Sequence, residues 1–130
     1  MLHDPAVSAV NRALVRGERP GSGIAAALVG DLTGDGRADV AVPVIAGGQS
    51  GVVAYFVYAI LDGRVRDILA VNDTDRALLA IEAGRLVEVT PAYRREDARC
   101  CPWALRTTVM RWDGQQMVVR SSRRQRVRSG

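Results

Sequence analysis

Three aspartates recur at every fourth position in Asp31-Leu32-Thr33-Gly34-Asp35-Gly36-Arg37-Ala38-Asp39, a D-x-T-G-D-G-x-x-D segment. A hard cation such as calcium takes about six to eight oxygen ligands, and a tightly curled loop can supply several of them. Asp31, Asp35 and Asp39 offer carboxylates, Thr33 a hydroxyl and Arg37 its backbone carbonyl, with the arginine side chain pointing outward. Gly34 and Gly36 give the loop access to positive φ, which such a curl requires. The acidic residue that closes an EF-hand is missing, because Val42 holds its place, so the segment is not an EF-hand. The competing reading is an empty hairpin turn, since Asp and Gly dominate turns for reasons of their own backbone chemistry. Calcium is therefore the expected cofactor if the loop is more than a turn.

The second group with chemistry is Cys100-Cys101-Pro102-Trp103. Adjacent side chains in a strand point to opposite faces, so neighbouring cysteines bond each other only across a turn. Pro102 favours such a turn. In an oxidising compartment the pair forms a vicinal disulfide, and in a reducing one it stays as two thiols. As thiols, one cysteine fills core while the other is half exposed, or the pair senses redox or binds a soft metal. In that last case Arg95 and Arg99 would lower a thiol pKa.

What is absent narrows the chemistry further. The chain has no lysine, and all 18 basic residues are arginine. Schiff-base enzymes, P-loop nucleotide binding and a lysine general base are excluded. His3 is the only histidine and stands at the N-terminus, which removes Ser-His-Asp and Cys-His catalysis. Two adjacent cysteines and one histidine do not make a four-ligand zinc site. No catalytic residue is assigned. Carboxylates alone can hydrolyse glycans, and Asp73, Asp75, Glu82, Glu88, Glu96 and Asp97 are available, but no spacing selects a pair. A carboxylate-only hydrolase stays an alternative on that basis.

Charge is unevenly placed. Residues 1–113 carry 13 arginines and all 14 acids, whereas residues 114–130 carry five arginines (Arg120, Arg123, Arg124, Arg126 and Arg128) and no acid. The body is nearly neutral and the C-terminus is strongly basic. That pattern suggests a solvated tail at 121–130. The alternative is a cytoplasmic module that uses the tail to bind nucleic acid. The longest apolar run, Val52–Leu61, is too short to span a bilayer. The first twenty residues lack a signal-type apolar stretch. The expected location is extracytoplasmic if a leader precedes this segment, and cytoplasmic otherwise.

The elements that must position these groups follow from local patterning. Asp4 and Pro5 read as N-cap and first turn of a helix over 4–16, with Ala6, Val7, Val10, Ala13 and Leu14 on its apolar stripe and Asn11 off it. Ile24–Val29 and Asp39–Ile45 read as strands, and Pro43 assigns the second to an edge or a bulge. Three hairpins follow: Val52–Leu61 with Arg64–Val71 around Asp62-Gly63, Ala77–Glu82 with Arg85–Thr90 around Ala83-Gly84, and Leu105–Trp112 with Gln115–Arg120 around Asp113-Gly114. The two Asp-Gly pairs favour type I′ turns. The expected fold is mainly β (α+β): an antiparallel meander of about eight strands, curled or sandwich-like, with one short N-terminal helix. Residues 1–120 form a single domain, followed by the basic tail 121–130.

Two resemblances add to this reading. The D-x-x-G-D-G-x-x-D segment between strands resembles the calcium loop of FG-GAP (integrin-propeller-like) repeats. Over most of the chain, the order of an Ala/Val-rich helix, DLTGDGRADVAVPV, YRREDARCCPW and RTTVMRWDGQQMV resembles the actinobacterial LppP/LprE-type lipoprotein family. That resemblance implies an exported, lipid-anchored envelope protein and brings no catalytic residues. Together these readings anticipate a non-catalytic cell-envelope or secreted domain with a structural calcium loop, acting on a protein or envelope partner through its surface.

Overall fold

The computed structural model describes residues 1–48 and 50–127. Among these residues one helix, α1 (Ala9–Val15), precedes nine strands. The first sheet contains β1 (Gly23–Ile24), β2 (Leu28–Gly30), β3 (Asp39–Ile45), β4 (Val52–Leu61) and β5 (Arg64–Val71). The second contains β6 (Leu78–Glu82), β7 (Arg85–Ala92), β8 (Ala104–Trp112) and β9 (Met117–Arg126) in that spatial order. Every pairing is antiparallel. The expected mainly β architecture is therefore present, with one strand more than the turn signals suggested.

The first sheet is covered on both faces. Val44, Ala54 and Phe56 pack with Val7 and Leu14 beneath the helix. Ala41, Tyr55 and Val57 point the other way and pack with Leu86, Met110 and Met117 of the second sheet. Burial on both faces explains why β4 reads as an unbroken apolar run instead of an alternation. The layers come close together at Gly30, where a Cβ would stand 2.8 Å from Ile81 Cγ2.

Several local expectations change. The helix is shorter than 4–16, and its N-cap is Ser8, whose hydroxyl accepts from the Asn11 N–H. Asp4 instead makes its own turn, accepting from the Ala6 N–H at 2.9 Å. Val10, expected on the stripe, is exposed, whereas Asn11, expected off it, is buried. Asn11 is held there because Nδ2 donates to both the carbonyl and the Oδ1 of Asn72, each at 2.9 Å.

The segment 24–29 divides into β1 and β2, both on the same edge of β3. Pro43 is buried inside β3, which is not an edge strand, and the register of β3 against β4 shifts just beyond it, between Val44 and Ile45. Its carbonyl accepts from Ala25 N–H in the interval between β1 and β2. A residue in an antiparallel ladder presents N and C=O to the same side. The missing N–H therefore faces the one place where the neighbouring ladder is interrupted.

The Asp62-Gly63 turn is as expected, with both residues at positive φ, and Ala83-Gly84 adopts the same conformation. The last hairpin does not. Trp112 pairs with Met117, leaving a four-residue loop in which Asp113 Oδ1 accepts from the Gln115 and Gln116 N–H groups. The side chain substitutes for a tight backbone turn.

The basic tail is also corrected. Ser121–Arg126 continue β9 and pair with Ala104–Val109, so they are not a free tail, and the folded domain does not stop at 120. Residues 128–130 lie outside the described residues. β9 is an outer strand, and arginines along an outer strand discourage pairing with another chain. A folded edge accounts for the charge that read as a solvated segment.

Candidate functional site

The acidic segment forms the loop between β2 and β3, where Gly30 pairs with Asp39. Asp31 folds the loop around itself. Its Oδ1 accepts from Gly34 N–H and its Oδ2 from Gly36 N–H, both at 2.8 Å. Gly34 and Gly36 take φ near +79° and +80°, as the curl required. The Gly36 N–H, with further amides of the loop, holds the Asp31 carboxyl below the usual range despite some burial. Asp35 Oδ1 accepts from Arg37 N–H, and the Arg37 side chain is exposed.

Asp39 is different, being only 1% exposed. Its Oδ2 accepts from Leu32 N–H at 2.7 Å and Thr33 N–H at 3.1 Å, with the Thr33 hydroxyl at 3.4 Å. Its Oδ1 is buried without a hydrogen-bond partner. Asp31, Thr33, Asp35, Arg37 and Asp39 thus share one loop. Yet among the described residues no three acidic, histidine or cysteine side chains gather closely enough to hold a metal ion. Backbone N–H groups satisfy much of what a cation would otherwise neutralise.

The cysteine pair lies in the loop between β7 and β8. Cys100 and Cys101 are joined to each other in a disulfide, with Cα atoms 3.8 Å apart. The turn that allows it is set by Cys101 N–H donating to Ala98 C=O at 2.9 Å. Asp97 closes the same loop, its Oδ2 accepting from the N–H groups of Arg94 (2.8 Å) and Trp103 (3.0 Å). The Arg94 amide is the largest influence keeping the Asp97 carboxyl below its usual range. Both cysteines are exposed, and they form one wall of an open groove of about 610 Å3. Trp103 stands in that groove with the Arg94 guanidinium 5.6 Å and the Arg124 guanidinium 5.4 Å from its ring centre. Neither Arg95 nor Arg99 acts on a thiol here, since none is free. Arg99 instead pairs with Asp75 at 3.2 Å.

A second open groove, about 660 Å3, lies at the opposite hairpin ends. Asp35, Asp62, Asp67 and Trp112 line it. Of these, Asp67 has unusual chemistry. Burial foremost, and then the neighbouring Asp4, push its carboxyl up to about 7, and its Oδ2 is buried without a hydrogen-bond partner. Burial alone would raise Asp4 too, but the neighbouring Asp67, the Tyr58 hydroxyl and the Ala6 amide outweigh it and keep Asp4 low. Tyr58 OH donates to Asp4 Oδ2 at 2.7 Å. Burial foremost, and then Asp4, push the Tyr58 hydroxyl upward.

The sequence reading did not single out this carboxyl pair, nor the hydrogen bond from Tyr55 OH to Glu88 that links the two sheets. It also missed the Trp103 guanidinium stack. Each joins residues distant in sequence, and no spacing announces them. The one local signal was an arginine-rich strand beside a tryptophan-bearing loop. Comparison with protein-family models, with characterised proteins and with solved structures finds no match for this chain.

Proposed function

We propose that this chain is a non-catalytic extracytoplasmic domain, of the cell envelope or secreted, that acts through surface interactions. The observation that carries this reading is the Cys100–Cys101 disulfide on an exposed loop. Exposed disulfides persist in oxidising compartments and are reduced in the cytosol. The resemblance to envelope lipoproteins points the same way. Among the described residues, the linings of the two open grooves hold no serine, histidine or free thiol. Binding is the better use of such surfaces. The test is alkylation of protein isolated unreduced from its natural host, followed by intact mass. A monomer that takes no label supports the reading. Two labels on native protein would overturn it and favour a cytoplasmic module.

A structural calcium ion in the Asp31–Asp39 loop belongs to the same proposal. The specific support is the sealed, unpartnered Oδ1 of Asp39. A buried carboxylate oxygen without a donor is costly, and a cation drawn to it by Asp31 and Asp35 would relieve that cost.

A further inference from the structure

The groove beside the disulfide carries more positive charge than the fold uses. Arg94 is engaged by Glu96 and Asp97, each at 3.5 Å. Arg124 and Arg126 form no ion pair among the described residues, although both are charged and exposed. Arg126 lines the groove directly, and Arg124 reaches it through Trp103. Asp97 is the acidic group in the lining, and its oxygens are occupied by Arg94 and by two backbone N–H groups. Unanswered charge therefore faces the open side, so the complementary occupant is an anion.

The rest of the lining describes that anion. Pro102 and the Cys100–Cys101 ring are apolar, and the disulfide and proline make them stiff. Such a surface fits the C–H face of a sugar ring at small entropic cost. Two guanidinium groups already lie over the Trp103 ring and compete with a nucleobase for the stacking that single-stranded nucleic acid binding requires. Arg124 and Arg126 keep N–H groups that no carboxylate of the described residues occupies. Such groups match the two oxygens of a carboxylate.

We propose that this groove binds a carboxylated polysaccharide, with a uronate carboxylate on Arg126 and Arg124 and its sugar ring against Pro102 and the disulfide. The inference deepens the extracytoplasmic surface-binding reading and rests on it for the nature of the partner.

The test is calorimetric titration of the oxidised full chain with tetragalacturonate, its methyl-esterified counterpart and a single-stranded oligonucleotide. We expect millimolar or tighter binding of the free uronate, at least tenfold weaker binding of the ester, and weaker binding of the oligonucleotide. Arg126→Gln should reduce uronate affinity roughly tenfold, as expected for losing one charge-assisted contact. Arg64→Gln, on an exposed strand end elsewhere, should leave it unchanged. Circular dichroism confirms that each variant is folded, and Arg124→Gln serves as the second variant. Equal binding of ester and free acid, an unchanged affinity in both arginine variants, or preference for the oligonucleotide would overturn the proposal. So would no heat at millimolar uronate. With the disulfide shown intact in native protein, those failures would overturn this inference alone and leave the extracytoplasmic reading standing.

Discussion

On β5, Asp67 buries an Oδ2 that has no hydrogen-bond partner, and the neighbouring Asp4, in the segment that enters α1, pushes its carboxyl upward. Tyr58, opposite Asp67 on the neighbouring strand, donates to the same Asp4. That hydrogen bond fastens the N-terminal segment to the sheet. Because Asp67 is raised from 3.8 to about 7, the folded chain keeps a proton that the unfolded chain loses. Its contribution is whole below pH 3.8 and is lost as pH rises through about 7. Asp4, held low, acts oppositely, contributing above its unfolded value and losing that as acid protonates it. We predict a melting temperature that falls between pH 4 and pH 7, the window set by the Asp67 shift. Asp67→Asn supplies a neutral donor at every pH and should flatten that decline. Parallel melting profiles for the two proteins across this window would contradict the assignment.

Gly30 is required by a different kind of proximity. The two sheets meet there, and a Cβ would lie 2.8 Å from the Cγ2 methyl of Ile81. Ile81 is β-branched and has few rotamers in which to retreat. Gly30→Ala should therefore destabilise by about 1–3 kcal/mol, the usual range for overpacking. The double variant Gly30→Ala with Ile81→Val keeps that Cβ branch and should recover little, whereas Ile81→Ala should recover part of the loss. Denaturant melts of the three variants check this ordering. A neutral Gly30→Ala would mean that the sheets separate freely.

The parts of this fold that were legible are those determined by neighbours in sequence. β4 and β5 match their expected bounds because Asp62-Gly63 suits a type I′ turn and both flanks are rich in strand formers. The curl of the acidic loop was legible for the same reason. The location of Asn11 was not, because its burial depends on Asn72 at the far end of β5. Nor was the end of β9. Ser121–Arg126 lack apolar alternation, and only the partner strand β8 makes them a strand. For the candidate site, the sequence presented Asp39 as one ligand among equals. Its burial and lone oxygen emerge only once Leu32 and Thr33 fold over it.

β9 supplies a direct check on that correction. Removing residues 121–130 takes away the partners of Ala104–Val109 and exposes the edge of β8. At about 0.5 kcal/mol for each exposed ladder hydrogen bond, the expected loss is about 2–3 kcal/mol. We predict a lower melting temperature, reduced soluble yield and a tendency to associate through the bared edge. A truncated protein that melts with the intact one would show that Ser121–Arg126 contribute no strand pairing in solution.

Calcium gives the sharpest test of the acidic loop. Asp39 already spends one oxygen on three donors, and its other oxygen has none. Asp31 must yield part of its grip on the Gly34 and Gly36 amides for an ion to enter. Binding should therefore be weak, in the range of about 10⁻⁴–10⁻³ M typical of extracellular modules. At about 1 mM calcium such a site adds only about 0.4–1.4 kcal/mol. For a chain of this size that is a rise of about 1–5 °C in melting temperature. Asp35→Asn should abolish the rise while leaving the calcium-free melting point nearly unchanged, because an amide oxygen can still accept from Arg37 N–H. Magnesium at the same concentration should give a smaller rise, since it keeps its water and demands a tighter octahedron. Identical melting curves in chelator and in millimolar calcium would leave the loop as a self-capped turn.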